Sequence, residues 1–156
     1  MRILFLDIDG VLNSLDNMEA NYFLWKNKPK HKSKDRFGDL FDQRCVNWLN
    51  YIILKTDCKI IISSTWKLNG LDALNEMWEE RELPSIIVDA TPNIENAIRG
   101  EEIEAWLKYN KGFDLESYCI VDDNDDMLEG QPLVQTNPRF GLTKEEAVKI
   151  IQILNK

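Results

Sequence analysis

The chain has 156 residues, of which 44% are hydrophobic and 29% charged, and its formal net charge is −8 at pH 7. This composition favours one ordinary globular domain with its own core, and the acidic charge argues against a general nucleic-acid-binding protein. The three cysteines include no CxxC pair, which favours a reduced protein. We recognise no signal peptide and no apolar run of the roughly 20 residues that span a bilayer. We therefore expect a cytoplasmic protein without a membrane anchor.

Short apolar runs alternate along the chain with segments of helical spacing. Five runs have the unbroken apolar character of strands that are buried on both faces of a sheet: residues 3–6, 59–62, 86–88, 118–121 and 133–135. Helical spacing follows around Val46, Leu71 and Ile103, and a capping box of Thr143 and Glu146 opens a final helix. The alternation predicts an α/β fold of the Rossmann type, with a doubly wound parallel sheet of about five strands in one domain over residues 1–156.

Residues 14–38 fit neither pattern, and we expect a long loop or a small flap after the first strand, without a large cap domain. Within this segment, residues 26–36 read KNKPKHKSKDR and carry a local charge of +5, so the rest of the chain carries −13. This asymmetry makes the segment a candidate for contact with substrate phosphate, through Lys28, Lys30, Lys32 and Lys34. A solvated loop without contact to substrate is the alternative.

Polar side chains follow three of the predicted strands at the point where each strand ends. Asp7 and Asp9 follow the first, Ser63 and Ser64 the second, and the acidic run 122–126 the fourth. Ligands in such folds bind at the carboxyl ends of the strands, so these groups should converge. Carboxylate oxygens are the ligands that Mg²⁺ prefers, and a chain with one histidine offers no cluster that suits zinc. The sequence therefore predicts a magnesium site where one aspartate attacks phosphorus and the other moves a proton.

The run Asp7-Ile8-Asp9-Gly10-Val11-Leu12 resembles motif one of the haloacid dehalogenase (HAD) superfamily of phosphatases. In that family the first aspartate is the nucleophile; the second is the general acid and base and also offers its backbone carbonyl to Mg²⁺. Ile60-Ile61-Ile62-Ser63 resembles motif two, whose serine binds a phosphate oxygen, and Val121-Asp122-Asp123 resembles motif four, the acidic metal site. The resemblance implies a Mg²⁺-dependent phosphomonoester hydrolase with an aspartyl-phosphate intermediate.

Motif three of the family is a single lysine or arginine upstream of the motif-four strand. Arg99 precedes Asp122 by 23 residues and matches this position, with Lys67 and Lys108 as alternatives. Alternatively, Arg99 is a surface residue that pairs with a nearby glutamate.

The acidic run leaves the choice of metal ligand open. Asp123 matches the family's usual ligand by its position after the strand, beside Asp7 and Asp9, while Asp122 and Asp126 are second choices.

A Ser-Ser-Thr-Trp run, an Arg-Gly-Glu-Glu-Ile run and a closing Gly-Leu-Thr helix are similar to the HAD domains of "Swiss army knife" RNA-repair proteins. Those domains are proposed end-processing phosphatases, so the resemblance implies a phosphorylated nucleic-acid end or a nucleotide as substrate. Ser64 follows Ser63 as a further phosphate-binding candidate, or as a cap for the next segment, and Trp66 is a candidate for base stacking or for the core. A small metabolite or phosphoprotein as substrate, and a non-catalytic phosphate-binding module, are the alternatives; protein partners are not specified.

Overall fold

The computed structural model describes residues 1–28, 30–112 and 114–156. In these residues a five-stranded sheet has the order β5-β4-β1-β6-β7, and all its pairings are parallel. Its strands are β1 (Arg2–Leu6), β4 (Lys59–Ile62), β5 (Ile87–Ala90), β6 (Ser117–Asp122) and β7 (Leu133–Gln135). Strands β2 (Lys34–Asp35) and β3 (Gly38–Asp39) form a separate antiparallel hairpin. The predicted parallel α/β fold is confirmed, with each of the five strands within two residues of its predicted bounds.

The helices are α1 (Leu15–Asn27), α2 (Gln43–Thr56), α3 (Leu71–Glu80), α4 (Arg99–Tyr109) and α5 (Lys144–Leu154). Helices α2, α3 and α5 cover one face of the sheet and α4 covers the other, whereas α1 contributes to neither core. A short 3-10 helix spans Thr65–Asn69. Alternate residues of β1 enter two separate cores, because successive side chains of a strand point to opposite faces. Ile3 and Phe5 pack with Trp106 of α4, whereas Leu4 and Leu6 belong to the core that contains residues of α2, α3 and α5. Burial on both faces explains why the strands are unbroken apolar runs. None of the helices that the structure describes combines the length and apolar character needed to span a bilayer.

The registers of three central strands bring the ends of the predicted motifs to one edge of the sheet. Leu6 lies opposite Ile62 on one side and Val121 on the other. The amide of Asp7 donates to the carbonyl of Val121 at 3.0 Å, and the amide of Ser63 donates to the carbonyl of Leu6 at 2.9 Å. The residues that follow β1, β4 and β6 therefore emerge side by side.

Segment 14–38 is more regular than the sequence predicts, because its first half is helix α1. The hydroxyl of Ser14 caps this helix by accepting from the amide of Asn17 at 3.1 Å. The side-chain amides of Asn17 and Asn21 both donate to the carbonyl of Leu40, at 2.9 and 3.1 Å. The helix docks through these polar contacts rather than an apolar stripe, so hydrophobic periodicity gave no sign of it. The second half holds hairpin β2–β3, and Pro29 lies outside the described residues.

Candidate active site

Two aspartates at the strand ends are buried next to each other. Asp7 is 5% exposed and Asp122 is fully buried. Burial is the main reason why the pKa of Asp7 is raised to about 6 and the pKa of Asp122 to about 7. The negative charge of Asp7 also contributes to the raised pKa of Asp122. The Arg99 guanidinium opposes both pKa shifts. One oxygen of Asp122, Oδ2, has no hydrogen-bond partner among the described residues. An ionised, incompletely paired carboxylate is unfavourable in such a site, so this arrangement is suited to a bound cation.

Asp123 completes a group of three carboxylates. One oxygen each from Asp7, Asp122 and Asp123 can be chosen so that all three lie within 4.8 Å of one another. In an octahedral Mg²⁺ site adjacent ligand oxygens lie about 3.0 Å apart and opposite ones about 4.2 Å apart, since each Mg–O distance is about 2.1 Å. The three side chains are therefore close enough to hold one magnesium ion if their oxygens move closer together on binding. Both Asp122 and Asp123 belong to this group, which the sequence alone did not resolve.

Asp126, the other metal-ligand candidate, is used differently. Its Oδ2 accepts from the backbone amide of Arg99 at 3.2 Å, and its carbonyl accepts from the amide of Gly100 at 3.0 Å. Carboxylates are favourable at a helix N-terminus, where backbone N–H groups lack partners within the helix. Asp126 thus holds the start of α4 and is not one of the three clustered carboxylates.

Arg99 links all three strand ends. Its Nη1 donates to the carbonyl of Ser63, its Nη2 lies 3.9 Å from Oδ1 of Asp7, and its Nε lies 3.5 Å from Oδ2 of Asp122. The guanidinium is thereby placed beside the carboxylate predicted to attack phosphorus. A planar guanidinium can also hold phosphoryl oxygens, as the sequence predicts for this residue.

The two alternative motif-three cations are placed elsewhere. The Lys67 ammonium donates to Thr91 Oγ1 at 3.1 Å, to the Pro92 carbonyl at 2.9 Å and to the Glu102 carboxylate. These acceptors match its three protons, so Lys67 joins the 3-10 helix to α4. Glu102 is therefore paired with Lys67 and not with Arg99. Lys108 is exposed near the C-terminal end of α4, far along the helix from Arg99.

The two serines after β4 differ in what they contact. Ser63 is 1% exposed, and its hydroxyl has no hydrogen-bond partner among the described residues. Buried hydroxyls are normally paired, so this hydroxyl is available to a phosphate oxygen. The Ser64 side chain hydrogen-bonds to Asp7, which lowers the pKa of that carboxyl, and its Oγ caps the 3-10 helix by accepting from the Trp66 amide at 3.4 Å. Its observed contacts favour the capping alternative.

Asp9 is exposed at the mouth of the site, outside the group of three carboxylates. Its Oδ2 accepts from the indole Nε1 of Trp66 at 2.9 Å, and its Oδ1 accepts from the Asn13 side chain at 3.3 Å. Sequence reasoning missed Asn13 and gave Trp66 no contact with Asp9. The position of Trp66 just after the second polar strand end was the available signal.

Gly10 lets the motif-one loop approach the acidic run. Its φ is +76°, and a Cβ atom there would lie 2.6 Å from Cγ of Asp123. Its carbonyl accepts from Thr136 Oγ1 at 2.8 Å. A side chain at this position would therefore displace Asp123.

The basic segment lies largely on the surface. Lys28, Lys30 and Lys32 are exposed. Lys34 lies 3.6 Å from an oxygen of Asp39, and its ammonium is 5.2 Å from the ring centre of Trp25. Contact between these four lysines and substrate stays a prediction.

Comparison with known proteins agrees with this arrangement. The model of a family described as "HAD domain in Swiss Army Knife RNA repair proteins" matches residues 3–147. No curated protein and no solved structure matches the chain. The HAD family implies a phosphatase-type hydrolase with a phosphorylated substrate, and its members generally use Mg²⁺. Because the match covers more than half of the sequence, the chain belongs to the family of HAD domains found in Swiss Army Knife RNA repair proteins.

Proposed function

We propose that this protein is a Mg²⁺-dependent phosphomonoester hydrolase that acts through a phosphorylated Asp7 on nucleic-acid ends. The observation that carries the proposal is the set of incompletely satisfied groups at one edge of the sheet. Oδ2 of Asp122 and the hydroxyl of Ser63 are buried without hydrogen-bond partners among the described residues, and the Arg99 guanidinium contacts Asp7, Asp122 and the Ser63 carbonyl. Such groups suit a cation and a phosphoryl group.

In the first step, an oxygen of Asp7 attacks phosphorus and forms an acyl phosphate while the bond to the leaving oxygen breaks. Protonated Asp9 donates its proton to that leaving oxygen, so the product departs as an alcohol. Ser63 and Arg99 hold the non-bridging oxygens, where the transferring phosphoryl group carries its charge.

In the second step, Asp9, now a carboxylate, takes a proton from a water molecule. The water oxygen bonds to phosphorus, and the bond from phosphorus to Asp7 breaks. Inorganic phosphate leaves, and both aspartates return to their starting states.

Asp7, Asp122 and Asp123 are the side chains that would hold Mg²⁺, together with the backbone carbonyl of Asp9. When bound, the ion supplies positive charge that offsets the repulsion between the attacking carboxylate and the phosphoryl oxygens.

Nucleic-acid ends are favoured as substrate by the surroundings of the site. The described residues include no cap domain, so a large substrate can reach Asp9, which is exposed. Tyr22 and Trp25 of α1 are each 57% exposed and their rings are in contact, and the ammonium of Lys34 in the basic segment is 5.2 Å from the Trp25 ring centre. Aromatic faces bind unpaired bases and lysines bind the phosphate backbone, so this surface suits a single strand.

The deciding experiment measures phosphate release from 3′- and 5′-phosphorylated oligonucleotides, with Mg²⁺ and with EDTA, for the unaltered protein and for Asp7→Asn. We expect metal-dependent release that falls at least about a thousandfold in the variant, because the nucleophile is lost. Circular dichroism and thermal unfolding should show that the variant folds.

Residual activity near that of the unaltered protein would contradict the role of Asp7. Free nucleotides, sugar phosphates and a phosphopeptide form the comparison panel, and a clear preference for one of these would contradict the substrate class. Tight oligonucleotide binding without release from any substrate would favour a non-catalytic module.

A further inference from the structure

A pocket of about 380 Å³ lies between hairpin β2–β3, the 3-10 helix and α3. The pocket is lined by Phe37, Trp66, Ala73, Leu74 and Met77 together with the polar side chains of Arg36 and Asn69. The volume is at the lower end of the roughly 300–1,000 Å³ typical of small-molecule sites. The pocket therefore suits one nucleoside and is too small for a duplex.

Trp66 places this pocket next to the reaction. The same indole that lines the pocket donates to Oδ2 of Asp9 at 2.9 Å. In the proposed reaction Asp9 faces the leaving oxygen. The group attached to that oxygen is therefore the part of the substrate nearest to the pocket.

We propose that the pocket binds the base of the terminal nucleotide from which phosphate is removed; this inference rests on the proposed function. A base has apolar faces, which match aromatic side chains such as Trp66 and Phe37, and a polar edge, which matches the exposed side chain of Asn69. A sugar phosphate has hydroxyls on most sides and would gain little from the two rings. The two aromatic side chains thus favour a nucleotide leaving group.

The Phe37 wall is held in place by three ion pairs between the hairpin and residues in or just after α3. Arg81, just after α3, donates two hydrogen bonds of 2.8 Å to Asp35, and the side chain of Arg81 is 5% exposed. Arg36 contacts Glu76 at 2.8 Å and also pairs with Glu80. Phe37 follows these two hairpin residues, so the pocket is formed before substrate binds and little ordering entropy is lost there.

Charge and continuity support a nucleic-acid strand as the occupant. The guanidinium of Arg36 is paired with Glu76 and Glu80, so it attaches the hairpin to α3 and is not counted as a phosphate contact. Lys34 belongs to the same hairpin and lies over Trp25 of α1, and the exposed Lys30 and Lys32 precede it. A strand whose last base occupies the pocket would meet these positive charges with its next phosphates.

The test uses two oligonucleotides of one sequence whose phosphate is carried either by a normal terminal nucleoside or by an abasic one. Their kcat/KM values are measured with the unaltered protein, and their Kd values with Asp7→Asn in Mg²⁺. We expect a preference of about 5-fold to 100-fold for the oligonucleotide with the terminal base in both measurements, since stacking on aromatic side chains has this magnitude.

Phe37→Leu should reduce this preference several-fold, because it removes an aromatic wall and keeps an apolar side chain. Tyr109→Leu is the matched control and should keep the full preference, since Tyr109 is 85% exposed at the C-terminal end of α4. The comparison of the two oligonucleotides in the unaltered protein does not depend on the folding of Phe37→Leu.

The outcomes separate this inference from the proposed function. Phosphate release with equal kcat/KM and equal Kd for the two oligonucleotides would overturn the base pocket and leave the phosphatase in place. A clear difference in Kd without phosphate release from either oligonucleotide would support the pocket and overturn the proposed hydrolysis.

Discussion

The indole N–H of Trp66 donates a 2.9 Å hydrogen bond to Oδ2 of Asp9, across 57 positions of sequence. The contact joins the turn after β4 to the loop after β1. Asn13 holds the other oxygen of the same carboxylate at 3.3 Å. Because Asp9 is exposed, packing does not fix its side chain. The hydrogen bonds from Trp66 and Asn13 orient it instead.

Trp66→Phe should therefore impair proton donation to the leaving group while keeping an aromatic ring in place. We expect kcat/KM for alkyl phosphates to fall about 3-fold to 10-fold, the effect of one lost hydrogen bond. The measurement is kcat/KM, which reports the steps up to departure of the leaving group, for a series of phosphate esters whose leaving alcohols become progressively more acidic. Esters with acidic leaving groups need no proton, so their kcat/KM should change little.

An equal loss of kcat/KM across the whole series would contradict a role of Trp66 in proton donation. Tyr51→Phe is a suitable control, because it also alters one aromatic polar group, on α2 and away from Asp9.

The buried pair Asp7 and Asp122 predicts how stability depends on pH in EDTA. Their pKa values in the folded protein are about 6 and about 7, above the ordinary aspartate value of 3.8. Between pH 4 and 7 the native state therefore binds more protons than the unfolded state at these groups. Their contribution to the free energy of unfolding should fall as pH rises through this window, by at most about 1.4 kcal/mol per pH unit for each carboxyl.

Urea unfolding of Asp122→Asn in EDTA isolates this effect. The variant should gain stability relative to the unaltered protein as pH rises from 4 to 7, because it lacks one of the two groups. Added Mg²⁺ at pH 7 should stabilise the unaltered protein more than the variant. A constant difference in stability over this pH range would contradict the proposed cause.

Gly100 allows α4 to start close to the loop that follows the acidic run. A Cβ atom there would lie 2.4 Å from the amide nitrogen of Leu128, and the Gly100 carbonyl accepts from Gln131 at 2.8 Å. Gly100→Ala should lower the free energy of unfolding by about 1–3 kcal/mol, the usual cost of overpacking. It should also reduce kcat/KM, because the adjacent Arg99 would shift.

Urea unfolding and phosphate release measure the two effects. Gly112→Ala is the matched control, since an added Cβ there would meet nothing within 4 Å. Equal stability of the two variants would contradict the close approach at Gly100.

The exposed lysines of the basic segment should contribute charge rather than chemistry. Replacing Lys28, Lys30 and Lys32 together by Gln should weaken oligonucleotide binding. It should also lower the magnitude of the slope of log association constant against log salt concentration by up to about 2, because each contact to a single-stranded phosphate contributes about 0.7. Fluorescence anisotropy at several salt concentrations gives this slope. Phosphate release from glycerol phosphate should change little.

The control replaces three exposed lysines at the other edge of the sheet, Lys55, Lys108 and Lys111. Lys55 precedes β4, whereas Ser63 follows it, so this edge is opposite the site. An equal change in salt slope for both triple variants would show that the basic segment has no particular role.

Local pattern was sufficient for the sheet and for the order of the motifs. The run before Asp7 is apolar without a break because both of its faces are covered, and this signal is contained in neighbouring residues alone. Parallel pairing then required Asp7, Ser63 and Asp122 to emerge together, as the strand registers show. Fold class and the meeting of the acidic and serine residues could therefore be predicted without coordinates.

Tertiary structure alone decided which polar groups are partners. Helix α1 docks through asparagine side chains that donate to the Leu40 carbonyl. Such a contact produces no regular spacing of apolar residues in the sequence. The sequence favoured Arg99 over Lys67 as the motif-three cation without excluding Lys67, and only the fold places Lys67 on Glu102 and Arg99 beside Asp7. The spacing of apolar residues along a helix or strand repeats regularly, so it can be recognised from neighbouring residues. A polar contact depends instead on distances of a few ångströms between residues far apart in sequence.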